Sequence, residues 1–108
     1  MPAGGEDTAR RFFVDLVGMT EVPKPTALAK RGGCWLRSGK VDIHLGVEQD
    51  FRPTLKAHPA LICQNYDALI ARLNAANISV KEAFETPGTR RSHIQDPFGN
   101  RLELIANP

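Results

Sequence analysis

Two helix-patterned stretches are each followed by three strand-patterned ones, and this repeated order is the strongest constraint on how the 108-residue chain can fold. In the first half Ala9, Phe12, Phe13, Leu16 and Val17 recur at helical spacing, with Glu6 and Asp7 at the positive end and Gly18 placed for a left-handed stop. Strand candidates follow at "MTEVP", "CWLRS" and "VDIHLGVE", the last two separated by Gly39-Lys40 as a hairpin turn. In the second half "PALICQN" has the apolar run of a buried strand. Asn65 is positioned to cap a helix whose apolar face is Tyr66, Leu69, Ile70, Leu73 and Ala76, and Asn77 can end it. "ISVKEAF", "RRSHIQ" and "RLELI" supply the last three strands. Residues 57–108 therefore read as a complete βαβββ unit, and residues 1–50 as the same unit without its leading strand. The predicted fold class is α+β in a single domain.

Spacing supports the repeat. Asp67 precedes Glu103 by 36 residues and Asp7 precedes Asp42 by 35, so the two acids occupy comparable places on the last strand of their halves.

Composition excludes several alternatives. With 42% hydrophobic and 24% charged residues the chain is ordinary for a globular domain. No apolar run is long enough to span a bilayer, and "MPAGGEDTAR" lacks the layout of a secretory signal, so the expectation is a cytoplasmic protein without a membrane partner. A net charge of +2 with mixed signs provides no basic stripe for nucleic acid. Cys34 and Cys63 lie far apart within apolar stretches, as buried free thiols do. No nucleotide-binding glycine motif, paired-cysteine zinc pattern or serine elbow occurs.

The C-terminal hairpin carries the first candidate site residue. In "IQDPFGNRLELI" Pro97 suits a tight turn, Asp96 can accept backbone bonds, and Gly99 and Asn100 tolerate positive φ. On the following strand Leu102 and Leu104 share one face while Arg101, Glu103 and Ile105 share the other. Glu103 is thus aimed into water, a cavity or a binding site. His58, 45 residues earlier and just before an apolar strand, is a metal ligand, a general base or a hydrogen-bonded edge residue. The position corresponding to His58 in the first half would fall before residue 1.

These features resemble the vicinal oxygen chelate superfamily, which includes glyoxalases, bleomycin-resistance proteins, fosfomycin-modifying enzymes and extradiol dioxygenases. The resemblance is carried by "ARRFFVDLVGMTEV", "HPALICQNYDALIARLNAANISV" and, most of all, "IQDPFGNRLELI", and it covers nearly the whole chain. It implies two βαβββ units whose curved mixed sheets enclose a cleft, with the two helices outside. It also implies a divalent metal ion held by His58 and Glu103, with a third ligand at Asp42 or, with a shift of one or two residues, at His44. The fourth ligand of the family would come from a strand preceding residue 1.

Other residues extend the candidate list. Glu103 can also act as a general base, and His93, which shares a strand face with Arg91 and Gln95, is either a proton carrier or lines the cleft. Arg91 and Arg101 can hold a substrate oxyanion or be solvated surface cations. Trp35 is either an aromatic wall for a ligand or core.

The implied activity is a metal-dependent lyase, isomerase or ring-cleaving reaction on a small oxygen-rich molecule. The alternative is a metal-free binding protein similar to the antibiotic-sequestering members. Aromatics at 6% are few for a cleft built to stack planar ligands, which favours the enzyme. An open sheet edge, if a strand is lacking, predicts a homodimer.

Overall fold

The computed structural model describes residues 1–108, and its chain contacts divide into two compact units, Met1–Arg52 and Pro53–Pro108.

In the first unit α1 spans Glu6–Arg10 and runs on as a π-helical segment, Arg11–Leu16. The wider turn is seen in Val17 N–H donating to the carbonyl of Phe12, five residues back, at 2.9 Å. Ala9, Phe12 and Phe13 are buried, the two phenylalanine rings meeting edge to face at 4.9 Å, whereas Leu16 and Val17 are only half-buried because the helical period changes before them. Gly18 takes a φ of 95°, and Met19 N–H closes the end on Phe13 O at 2.9 Å, as the expected left-handed stop requires.

An antiparallel sheet follows, ordered β1 (Thr20–Val22), β2 (Cys34–Ser38) and β3 (Val41–Leu45). Between β1 and β2 a single helical turn, α2 (Thr26–Ala29), is too short to show periodicity in the sequence. Cys34 and Leu36 point into the core. Gly33 has no substitute: its φ is 80° and a Cβ there would lie 2.0 Å from the carbonyl oxygen of Leu45. Met1 is buried; its ammonium donates to Gly46 O at 2.7 Å and its carbonyl accepts from Glu48 N–H at 3.0 Å, the bonding pattern of a parallel neighbour.

The second unit is the complete βαβββ arrangement expected. It comprises β4 (Ala60–Cys63), α3 (Tyr66–Ala75), β5 (Lys81–Ala83), β6 (Arg91–Gln95) and β7 (Arg101–Ala106), with sheet order β4-β7-β6-β5. Only β4 and β7 are parallel, which requires the crossover that α3 supplies. Tyr66, Leu69 and Leu73 of α3 are buried, as are Leu102 and Leu104 of β7, the strand that α3 contacts. Asn65 precedes α3 without a side-chain capping bond, while Asn77 does end the helix, at a φ of 59°.

The β6–β7 turn is organised by Asp96. Its Oδ1 accepts from Phe98 N–H at 2.9 Å and Asn100 N–H at 2.8 Å, and its Oδ2 accepts from Asn100 Nδ2 at 2.8 Å. Both cysteines are free thiols, Cys34 buried and Cys63 half-buried.

Candidate metal centre

Strand alternation places Glu103 on the face of β7 opposite Leu102 and Leu104. Register then decides its neighbours. Ala60 pairs with Glu103 across the parallel β4–β7 ladder, and His93 pairs with it across the antiparallel β6–β7 ladder. The β4 ladder begins with Glu103 N–H on Pro59 O at 3.0 Å, which brings His58, one residue further back, to the same carboxylate.

The three side chains converge. His58 Nε2 lies 3.0 Å from Glu103 Oε1, and His93 Nε2 lies 3.3 Å from the same oxygen. One donor atom from each of His58, His93 and Glu103 falls within 4.8 Å of the others. The imidazole rings meet at right angles, with centroids 5.3 Å apart. Side-chain exposures of 20%, 16% and 13% for His58, His93 and Glu103 leave the cluster shielded yet reachable.

The other carboxylate oxygen, Oε2, accepts from Arg91 Nη1 at 3.0 Å. Arg91 Nη2 also lies 3.6 Å from Glu85, while its buried Nε has no partner. Hydrogen bonds from His58 and then Arg91 hold the Glu103 carboxyl down at about 2, against an ordinary value of 4.5. Glu103 is therefore an anion across the physiological range.

The tautomer of His58 says what the site can hold. Its Nδ1 sits 2.6 Å from the carbonyl oxygen of Lys56, which can only accept, so Nδ1 carries the hydrogen. In neutral His58 the Nε2 lone pair then points toward an anionic oxygen. A proton or a cation shared between Nε2 and Oε1 resolves that conflict, and a divalent ion suits two imidazole nitrogens and a carboxylate.

Other candidate residues have different neighbours. Asp42 is engaged by Arg37 through bonds of 2.6 Å and 3.3 Å, and His44 stacks on Trp35 with ring centroids 3.8 Å apart, all within the first unit. Arg101 lies on the Glu103 face of β7, opposite Gln95. The pairing of His93 with Glu103 was legible in principle, since a turn over 96–100 that pairs Gln95 with Arg101 necessarily pairs 93 with 103. The Arg91–Glu103 bond had no such signal, because it joins a residue opposite Ile105 to its diagonal neighbour.

Comparison with solved structures identifies a glyoxalase family protein from Bacillus anthracis that is 42% identical, with a TM-score of 0.95 over 100% of this chain and 88% of that one. Lactoylglutathione lyase from Agrobacterium tumefaciens is 20% identical, with a TM-score of 0.73 over 99% of this chain and 89% of that one. An antibiotic binding protein from a Streptomyces species is 24% identical, with a TM-score of 0.73 over 100% and 91%. No protein-family model matches the chain, and neither does any curated protein.

Proposed function

Since this chain belongs to the glyoxalase/bleomycin resistance protein/dioxygenase superfamily, we propose that it is a divalent-metal-dependent enzyme, of lyase, isomerase or ring-cleaving type, acting on a small oxygen-rich molecule. The observation that carries this reading is the convergence of His58 Nε2 and His93 Nε2 on Glu103 Oε1, with His58 Nδ1 turned to Lys56 O.

His58, His93 and Glu103 would hold the ion. Imidazole and carboxylate donors suit manganese, iron, nickel or zinc. A bound ion supplies Lewis acidity toward substrate oxygens. Around it Arg91 is a positioning residue: by holding Oε2 it fixes the carboxylate plane and leaves Oε1 to the two imidazoles. His93 and Glu103, whose facing atoms lie 3.3 Å apart, are also the groups that would move a proton at a bound substrate. This assignment uses the second unit alone and needs neither Asp42 nor His44.

A metal-free binder, as the Streptomyces relative is named, is the alternative class. The stacking wall it would draw on is Trp35, and His44 already covers one face of that indole. A homodimer remains our expectation, supported by exposed Ile62 on edge strand β4 and exposed Phe84 just beyond edge strand β5.

Cobalt(II) added to chelator-treated protein tests the metal centre. Visible d–d absorption that saturates at one equivalent and is abolished in Glu103→Ala supports it; a featureless spectrum in the wild type overturns it.

A further inference from the structure

A cleft of about 620 Å³ opens beside the metal centre on the same sheet, and His93 is part of its wall. Lys81, Gln95 and Arg101 line it too, and register explains why they gather there. Lys81 pairs with His93, and Gln95 pairs with Arg101, so all four project from one face in two adjacent rows.

The charge of this wall is unbalanced. The Lys81 and Arg101 side chains pair with no carboxylate, unlike Arg10, Arg37, Arg90 and Arg91, each of which has an acid partner. Asp96 is the acid that lines the cleft, and both of its oxygens are occupied by the β6–β7 turn. Glu103, in the row of Lys81 and His93, is answered by Arg91. Two cations with free donors therefore face the cleft, and Asn77 and Gln95 add neutral polar groups at its wall.

We propose that Arg101 and Lys81 seat the anionic group of the substrate, a carboxylate or phosphate, while its other oxygens reach toward His93 and Glu103. The proposal rests on the metal-dependent reading for the second half of that statement only. Arg101 and Glu103 are two residues apart on one face of β7, or about 7 Å along the strand, so one small molecule can reach both side chains. The substrate class is a short-chain oxygenated acid or phosphate ester. Neutral aromatic ligands would leave both cations unanswered.

The test uses the full chain after chelator treatment, so that it is independent of any metal. Amide resonances of Lys81, Gln95 and Arg101 are followed during separate titrations with sodium phosphate and sodium acetate at constant ionic strength. Saturable shifts at these three residues are expected, and Arg101→Gln is expected to weaken the binding by about tenfold or more. Lys81→Gln, an exposed change that leaves the fold intact, is expected to weaken it about threefold to tenfold. Tighter phosphate assigns the ester, and tighter acetate assigns the acid. Linear shifts with both anions, or a Lys81→Gln titration identical to the wild type, overturn the proposal. Saturable anion binding in a protein that takes up no metal would leave this cleft standing and remove the metal-dependent reading; metal uptake without anion binding would do the reverse.

Discussion

Nε2 of His58 and Oε1 of Glu103 lie 3.0 Å apart although 45 residues separate them in the chain. The contact follows from a parallel β4–β7 ladder whose register begins at Ala60 and Glu103, so it is built into the topology of the second unit. With His58 Nδ1 directed at Lys56 O, the pair is set up to share a positive species between nitrogen and oxygen.

The two partners of Glu103 act unequally on its proton. In metal-free protein, His58→Ala is expected to raise the Glu103 titration midpoint from about 2 toward 4.5 by more than Arg91→Gln does, since the His58 bond is the larger cause. Carboxyl carbon chemical shifts against pH provide the check. Equal and negligible changes in both variants would show that neither bond holds the carboxylate.

A depressed carboxyl also makes stability depend on pH. Glu103 is ionised in both folded and unfolded chains above 4.5, where its stabilising contribution is fully present; that contribution is lost as pH falls through about 2, where the folded form protonates. The stability difference between wild type and Glu103→Gln, from urea unfolding, should thus shrink steadily from about pH 4.5 down to about pH 2. A difference that does not vary across that window would contradict the assigned ion pairs.

The backbone offers a sharper test of the first unit. Gly33→Ala forces a side chain into a φ of 80° and against Leu45 O, and should destabilise the protein by on the order of 3 kcal/mol. Denaturant unfolding with a loss under about 1 kcal/mol would mean that the β2–β3 approach is looser than described.

Much of this fold was legible because hydrophobic period and turn chemistry agree. Leu102 and Leu104 alternate with Glu103, and the Asp96–Asn100 stretch carries the residues a tight hairpin needs, so strand, turn and buried face all follow. The π-helical segment after Arg10 was not legible, since Phe12, Phe13, Leu16 and Val17 fit an α-helical stripe and only tertiary packing decides between the two. The site divides the same way. Glu103 and His58 stood out as polar residues at apolar strands. The Arg91–Glu103 bond depends on which diagonal neighbour a long side chain selects, and the place of Lys81 in the cleft wall depends on the β5–β6 register across a longer loop, neither of which local sequence encodes.

Asp96 is a structural acid, and its loss should show as such. Asp96→Ala removes three accepted hydrogen bonds at a buried turn and should cost about 2 to 4 kcal/mol. Asp96→Asn, which keeps one oxygen for the two backbone N–H groups, should cost clearly less. Equal losses in thermal unfolding would assign the effect to packing instead.

The central claim is that His58, His93 and Glu103 form one divalent-metal site, and equilibrium dialysis against manganese, iron(II), nickel and zinc followed by elemental analysis tests it most directly. One equivalent of at least one of these ions in the wild type, with at least tenfold weaker retention in each of His58→Ala, His93→Ala and Glu103→Ala, is the predicted result. A wild type that retains none of the four, or retention unchanged in the Glu103→Ala variant, would contradict it.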